Sequence, residues 1–313
     1  MKKFVITILL FFIPLIVFLG VLEFGMRIVP NDYAYKNQWL DNNISTLQIW
    51  SFGPSNGLVG ISPKHFSKKA FNSAHVSQPL KYDAFIFDKF IDRADSMEWV
   101  IVPMCYWTLV GSMEDGEEWW RAKNYCIYYD CPYFHFQPKF HFEVIGNPLS
   151  IYKQIKRVVD YIIHGTDDIT CDTFGLALNF AKDSRRENWY MNGANRVKDH
   201  TKDLSKTQLI EANRGYLQSI IDKCEKKHVR VLLLTTPVCY TYSDAVDSVQ
   251  YTMMTSTCEE MAAQYPHVEY LNMFTDTRFD VEDFWDADHL NTDGAVKLTR
   301  MLNEYIENYI VEP

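Results

Sequence analysis

The chain has 313 residues, of which 47% are hydrophobic and 23% are charged, a composition that predicts a packed core rather than disorder. This length suits one domain of ordinary size with smaller attachments. The formal net charge is -9 at pH 7. That charge argues against nucleic acid as a partner, because nucleic-acid-binding proteins present a basic face to the phosphates.

An uncharged apolar run covers residues 4 to 22, close to the N-terminus. As a helix, this run spans about 28 Å, which is close to the hydrocarbon thickness of a bilayer. Lys2 and Lys3 precede the run and predict a cytoplasmic N-terminus, with the rest of the chain across the membrane. A cleaved signal peptide is the alternative, but the small-residue cleavage site it needs is missing near residues 20 to 25. Residues 1 to 27 are therefore predicted to form a retained single-pass anchor.

Beyond this anchor, strand and helix patterns begin to alternate. Residues 28 to 46 are predicted to be a polar connector, and residues 47 to 52 a strand. A short second strand is predicted at residues 69 to 72. Apolar side chains then recur at helical spacing over residues 79 to 95. The apolar run at residues 99 to 104 is short enough for a buried parallel strand.

The alternation is interrupted at residues 105 to 204, which are rich in Trp, Tyr, Phe and His. A helix is predicted within this stretch at residues 151 to 163. We interpret the stretch as a long insertion over one edge or face of an α/β domain that covers residues 47 to 313.

Strand and helix patterns resume after this stretch. Ser205 and Gln208 have the spacing of a capping box, in which the serine accepts from the helix backbone and the glutamine reaches back. Strands are predicted at residues 229 to 235 and 268 to 271, with a helix between them and a last helix after Asn291. The alternation predicts a parallel sheet in a flavodoxin-like, three-layer α/β fold with helices on both faces. Ligands of such sheets bind beyond the carboxyl ends of the strands.

Ser55 lies at such a carboxyl end, directly after the first predicted strand. Gly53 allows a tight backbone turn and Pro54 fixes its own φ, so a serine here projects from the edge of the sheet. Backbone N–H groups at this turn are placed to hold an oxyanion. The alternative interpretation is that these residues form an ordinary turn with no chemical role.

His289 follows Asp286 by three residues in the loop before the last helix. At that spacing the carboxylate can accept the imidazole N–H and fix its tautomer, which leaves the second ring nitrogen to face a serine. The alternative is that Asp286 and Asp288 are solvated loop acids and that Asn291 caps the helix. Ser55, His289 and Asp286 together supply the set that makes a serine hydroxyl nucleophilic.

The chain resembles the SGNH/GDSL hydrolase superfamily, and especially its membrane-anchored bacterial branches that handle acyl groups on envelope polymers. The resemblance covers about residues 45 to 105 and 205 to 310, in the expected order. Four segments carry it: Gly53-Pro54-Ser55, Gly60-Ile61-Ser62-Pro63, Ala70-Phe71-Asn72-Ser73-Ala74 and Asp286-Ala287-Asp288-His289-Leu290-Asn291.

The resemblance implies a serine esterase or O-acyltransferase that forms an acyl-enzyme through a triad of Ser55, His289 and Asp286. It implies neither a cofactor nor a metal ion. Four further residues are expected to bind the oxyanion or the substrate, the first through its backbone N–H: Ala74, Asn72, Gln78 and Asn56.

Departures from the family pattern leave a different function open. Pro54 stands where the family has Asp or Ser, and Asn56 stands where related branches have His. The family's second oxyanion glycine is missing, as is a Gly-x-Asn-Asp motif after residues 99 to 104. The alternative is a catalytically inactive, membrane-tethered protein that binds glycans or assists assembly. A structural envelope protein is a third alternative, but it gives no reason for the order of Ser55 and His289.

The resemblance and the anchor together imply a place and a partner. We expect a single-pass protein of the bacterial inner membrane with its C-terminal domain on the periplasmic side. The expected substrate is an acylated glycan or another envelope polymer. Water as acceptor would give hydrolysis and a sugar hydroxyl would give transfer, and a membrane protein that delivers the acyl group is left open as a further partner.

Overall fold

The computed structural model describes residues 2 to 132, 136 to 185 and 187 to 309, with side chains from residue 10 onward. The five strands found there are β1 Ile49–Ser51, β2 Ala70–Asn72, β3 Trp99–Pro103, β4 Arg230–Thr235 and β5 Val268–Asn272. The α-helices of the described residues are α1 Lys2–Ile28, α2 Asp32–Asn43, α3 Ser55–Gly60, α4 Leu80–Phe90, α5 Ala122–Tyr128, α6 Pro138–His141, α7 Glu143–Gly146, α8 Ile151–His164, α9 Gly193–His200, α10 Thr207–Lys226, α11 Tyr240–Ser243, α12 Ser248–Gln264 and α13 Thr292–Glu307. Short 3-10 helices lie at Ile44–Thr46, Pro63–His65, Ile91–Arg93, Trp119–Arg121, Lys182–Ser184, Trp189–Asn192 and Val281–Asp283.

The strands form one parallel sheet in the order β2-β1-β3-β4-β5. The chain therefore leaves β1 toward β2 on one side and later returns to β3 on the other side of β1. This reversal of strand order is the switch point at which doubly wound sheets open a crevice for ligands. The predicted α/β class with a parallel sheet flanked by helices is confirmed.

Both faces of the sheet are covered by buried apolar side chains. On one face, Ile49 of β1 and Leu232 of β4 belong to the same buried cluster as Leu298 of α13. On the other, the Trp50 ring lies 5.6 Å from the Phe87 ring of α4. Successive strand residues point to opposite faces, and both neighbours in β1 are buried. This double cover explains why the strands read as continuous apolar runs in the sequence.

The chain divides into two compact units. The N-terminal unit comprises Met1–Gln38 and Glu114–Ile169, and the sheet unit comprises Trp39–Met113 and Thr170–Pro313. Within the N-terminal unit, the segment Leu10–Ile28 of α1 has a mean hydropathy of 2.0. By length and composition, this helix is apolar enough to cross a membrane.

One expectation about local organisation is wrong, and two others are not confirmed. Residues 28 to 46, predicted to be a connector, are mostly occupied by α2. Residues 105 to 204 are divided between the two units, so a single insertion is not confirmed. The predicted capping box is wrong, because α10 begins at Thr207 with Lys206 as its cap, and that cap residue makes no side-chain hydrogen bond to the helix. The N–H of Ser205 donates instead to Asp203.

Candidate active site

Ser55 is held at the first position of α3 by the turn that follows β1. Gly53 adopts a φ of +113°, which residues with side chains rarely adopt. A Cβ atom at Gly53 would lie 3.1 Å from Cδ of Pro103, at the end of β3. The N–H groups of Gly57 and Leu58 donate to the carbonyl oxygen of Pro54. The N–H groups of the two residues before them, Ser55 and Asn56, thus precede the first helical bonds, as expected of a helix start.

Asp286 organises the loop that carries the histidine. Its Oδ1 atom accepts from the backbone N–H of Asp288 at 3.1 Å and of His289 at 2.8 Å. The same oxygen lies 2.9 Å from Nδ1 of His289, and Oδ2 lies 3.0 Å from it. One carboxylate therefore shapes the loop backbone and orients the ring, which accounts for the three-residue spacing.

Asn291 fixes the same loop at its other end. Its side-chain oxygen accepts from the N–H of Gly294 at 3.0 Å, so Asn291 caps α13. Its Nδ2 group donates to the carbonyl oxygens of Glu282 at 2.6 Å and of Phe284 at 3.3 Å. The buried asparagine thus ties the histidine loop to the start of a long helix.

The structure brings Ser55, His289 and Asp286 together across 234 residues of sequence: Oγ of Ser55 lies 2.7 Å from Nε2 of His289. With Nδ1–H donated to Asp286, the neutral ring presents the lone pair of Nε2 to the serine hydroxyl. The serine, the base and the orienting acid thus have the contacts that nucleophilic activation requires.

Next to this triad lies an ion pair between a buried carboxylate and a half-buried arginine, which the sequence did not reveal. Arg196 of α9 contacts Asp288 with two nitrogens, at 3.0 and 3.3 Å. The Asp288 residue is only 2% exposed. Burial opposes its ionisation, but the neighbouring His289, His200 and Arg196 hold the pKa of this carboxyl well below its usual range. Asp288 is therefore a permanent negative charge beside the histidine.

The two carboxylates set the protonation of His289. Burial alone would lower its pKa, but Asp288 and then Asp286 outweigh burial and raise the pKa to about 9. At neutral pH the protonated form of the ring therefore predominates. The same carboxylates stabilise the imidazolium that forms when the serine loses its proton.

His200 completes the polar cluster without adding charge. Its Nδ1 atom lies 2.7 Å from the hydroxyl of Tyr242. Burial, together with the cations Arg196 and His289, lowers the pKa of His200 to about 4 despite the opposing effect of Asp288. The sequence did not single out His200, because α9 lies within residues 105 to 204, the stretch interpreted as an insertion.

Phe180, which lies within residues 105 to 204, is close to His289 and packs against Trp285. The ring of Phe180 lies 5.7 Å from the imidazole ring and 4.7 Å from the ring of Trp285. The indole N–H of Trp285 donates to Oγ of Ser184 at 2.9 Å. These contacts cover one side of the imidazole with apolar surface, which limits the access of water to it.

The other four predicted binding residues have partners within the protein. Asn72 donates to the carbonyl oxygens of Gly57 at 2.8 Å and Ile61 at 2.9 Å, and its Oδ1 accepts the N–H of Ala74 at 3.0 Å. That N–H already serves Asn72, and the predicted role of Ala74 in holding an oxyanion stays a prediction. Asn72 itself fastens α3 to the loop after β2.

Gln78 and Asn56 make buried contacts of their own. Gln78 donates to Oδ1 of Asp83 at 2.5 Å. Asn56 donates to the backbone carbonyl oxygen of Asp288 at 2.7 Å. These contacts give both side chains structural roles near the turn and the loop of the triad, whereas their predicted roles in substrate binding stay predictions.

The only histidine–carboxylate group of metal-binding type within the described part of the chain coincides with this site. Donor atoms of Asp286, Asp288 and His289 lie within 4.8 Å of one another. Each is already engaged: Asp288 pairs with Arg196, and His289 contacts Asp286 and Ser55. The donor set therefore fits a catalytic triad with a neighbouring ion pair better than a cation site, which would compete with the Arg196 guanidinium.

No protein-family model matches the chain, and no curated protein matches it significantly. Among solved structures it is similar to a protein from Streptococcus pneumonia, provisionally named a platelet activating factor, at 14% identity and a TM-score of 0.42, covering 87% of this chain and 91% of the other. It is also similar to a provisionally named acylhydrolase from Bacteroides fragilis NCTC 9343, at 10% identity and a TM-score of 0.39, covering 86% and 95%. At such low identities and TM-scores, the similarity supports no inference about function. Function is inferred from the geometry of the site alone.

Proposed function

We propose that the protein is a membrane-anchored serine esterase or O-acyltransferase of the SGNH/GDSL type, acting on an acylated glycan or another polymer of the bacterial envelope. The observation that carries the proposal is the contact of 2.7 Å between Oγ of Ser55 and Nε2 of His289, with Asp286 on the opposite ring nitrogen. A serine in a plain turn has no need of a base and an orienting acid in this arrangement.

Catalysis begins when neutral His289 accepts the proton of the Ser55 hydroxyl as Oγ bonds to the acyl carbon. Asp286 keeps Nδ1 protonated, and Asp286 and Asp288 stabilise the imidazolium. The imidazolium then gives its proton to the leaving alcohol, and an acyl-enzyme remains on Ser55. An incoming water or sugar hydroxyl then loses its proton to His289 as its oxygen bonds to the acyl carbon. The imidazolium returns a proton to Oγ of Ser55 as the acyl–serine bond breaks.

The oxyanion is held by backbone N–H groups at the start of α3. The N–H of Ser55 and that of Asn56 precede the first helical bonds at this turn. Donors aimed at the developing charge are each worth roughly a hundred- to a thousand-fold in rate. The sequence had suggested the N–H of Ser55 together with that of Ala74, and the role of Ala74 stays a prediction.

The anchor supports a substrate that is itself fixed in the envelope. The apolar part of α1 and the two lysines before it favour a single span with the rest of the chain on the periplasmic side. A tethered enzyme meets an immobile polymer at high effective concentration. Diffusible esters do not require such a tether.

Turnover of p-nitrophenyl acetate by the full-length chain in detergent tests this proposal. Ser55→Ala and His289→Ala are expected to remove turnover, because each deletes an atom that moves in the first step. Ser205→Ala, which changes an exposed serine, is the matched control and should behave as the wild type. Turnover retained in Ser55→Ala would sink the proposal.

The inactive binding or assembly protein remains the second candidate. The engagement of the Ala74 N–H by Asn72 favours it, because one expected oxyanion donor is used within the fold. It predicts that the folded wild type neither turns over esters nor differs from Ser55→Ala in binding envelope glycans.

A further inference from the structure

Helix α8 carries an exposed apolar face that is as well organised as a core-facing one. Six apolar residues form this face. At about 100° per residue, they fall within an arc of about 120° around the helix axis. They are Ile151, Tyr152, Ile155, Val159, Ile162 and Ile163. Tyr152, Ile162 and Ile163 are 74%, 67% and 66% exposed, respectively. An apolar stripe of this kind on a surface helix indicates contact with another apolar phase.

The packed and polar sides of α8 have separate partners within the N-terminal unit. Val158 packs so tightly on α1 that a Cβ at Gly25 would lie 2.8 Å from its Cγ1. The polar side contributes Lys153, Lys156 and Asp160 to the lining of a cavity of about 620 Å³. Neither the packing on α1 nor the cavity accounts for the apolar arc.

The position of α8 against α1 identifies what covers this arc. At the level where α1 packs on α8, Phe24 and Ile28 of α1 are 66% and 41% exposed. Together with Val17 and Val21, which are also exposed, they form an apolar row that continues along α1 into its most hydrophobic part. The apolar surface of the spanning helix therefore extends beside α8, where lipid surrounds α1.

The charged residues of α8 also fit a position at the boundary between lipid and water. Lys156 flanks the apolar arc and pairs with Asp160, and Lys153 lies on the far side of the helix. A long basic side chain at the rim of an apolar stripe, with a tyrosine inside the stripe, is typical of helices that lie in the headgroup region. Tyr152 supplies the amphipathic ring that favours this region.

We propose that α8 lies in the surface of the lipid bilayer beside the span of α1, with the arc from Ile151 to Ile163 buried in the acyl boundary. The inference rests on the proposed anchor. It adds a second membrane contact, which fixes the rotation of the N-terminal unit about the axis of α1. The cavity lined by the polar side of α8 then faces away from the lipid.

Nitroxide accessibility of the full-length chain in single-copy nanodiscs of phosphatidylcholine and phosphatidylglycerol tests the proposal. Labels are placed through p-acetylphenylalanine at Ile162 in the arc, at Lys153 as the matched position on the polar side, and at Val17 in the span. We expect the ratio of oxygen to aqueous nickel accessibility to be about tenfold higher at Ile162 than at Lys153. All three positions are exposed, so the labels leave the fold in place.

The other outcomes separate this inference from the anchor. Nickel access at Ile162 equal to that at Lys153, with Val17 in lipid, overturns the surface position of α8 and leaves the anchor standing. Protection of Ile162 from both reagents means that protein covers the arc, as a second copy of the chain would, and also overturns it. Nickel access at Val17 contradicts the anchor itself.

Discussion

The side-chain amide of Asn56 donates to the backbone carbonyl oxygen of Asp288 over 2.7 Å, joining residues that are 232 positions apart. Asn56 directly follows the proposed nucleophile, and Asp288 directly precedes the proposed base. Both residues are buried. One hydrogen bond therefore sets the spacing between the turn that carries Ser55 and the loop that carries His289.

Loss of this bond is expected to slow the reaction of Ser55. Asn56→Ala removes the donor and leaves the carbonyl oxygen of Asp288 without it, at a cost of about 1 to 3 kcal/mol in folding stability. The reaction rate of Ser55 should fall about tenfold, since small displacements of reacting groups are costly. Reaction with a fluorophosphonate, measured beside the exposed-site control Asn308→Ala, checks this. Equal rates in the two variants would show that the bond does not position the site.

The pKa of His289 predicts an alkaline rise in activity. The proposed base is neutral only above its pKa of about 9, so the rate should climb as the pH approaches 9. Asp288→Asn removes the carboxylate that raises this pKa most, and the midpoint should move down by about one unit or more. Rates of p-nitrophenyl acetate turnover between pH 6 and about 10 give both midpoints. Identical profiles for the variant and the wild type would contradict this role of Asp288.

The same pKa links folding stability to pH. Because the folded pKa of His289 lies above its ordinary value of 6.5, the histidine contributes stability that is complete below pH 6.5 and is lost as the pH rises toward 9. The pH of highest activity is thus expected to lie above the pH of highest stability. Melting temperatures across this range, compared with those of His289→Ala, check the sign, because the variant lacks the dependence.

Arg196 is expected to matter through Asp288 rather than through substrate. Arg196→Gln leaves a buried carboxylate without its bidentate partner, which should lower stability by about 1.5 to 3 kcal/mol. Adding Asp288→Asn removes the uncompensated charge and should restore part of the loss. Thermal unfolding of both variants decides the matter: a double variant no more stable than Arg196→Gln would contradict the charge-pairing account.

Asp83 gives a second, independent pH dependence near the nucleophile turn. Burial raises its pKa to about 8, although Gln78 and the N–H of Gly53 favour the charged form. A raised carboxyl pKa means that stability present below pH 3.8 is lost as the pH rises to 8. Asp83→Asn should remove this loss and therefore stabilise the protein at pH 9. Melting temperatures at pH 5 and 9 test this against Asp95→Asn, an exposed control, and equal pH dependence in both variants would contradict it.

The parallel sheet could be predicted from the sequence, because each strand has a recognisable pattern of apolar residues. Buried parallel strands need apolar side chains on both faces, so β3 and β4 appear as short uninterrupted apolar runs. Asp286 and His289 were also readable, since a carboxylate three residues before a histidine can bond both its backbone and its ring. Local spacing alone decides these features.

Other features depend on long-range contacts that leave no local mark. Arg196 meets Asp288 across 92 residues, and Phe180 meets His289 across more than a hundred, so neither stood out. Helix α2 carries no apolar stripe that distinguishes it from a polar connector. At Ser205, the side chain of Asp203 takes the backbone N–H that a capping box would have used, and α10 starts later. Competition among nearby polar groups of this kind is not encoded in motif spacing.

The most direct test of the triad is to react the full-length protein with a fluorophosphonate and map the adduct by peptide mass spectrometry. These probes bond covalently to a serine only where a base and oxyanion donors are assembled. We expect a single adduct, on Ser55, that is absent in His289→Ala and slower to form in Asp286→Asn. A folded wild-type protein that forms no adduct on Ser55, or an adduct that forms at the same rate in His289→Ala, would contradict the proposed catalytic role.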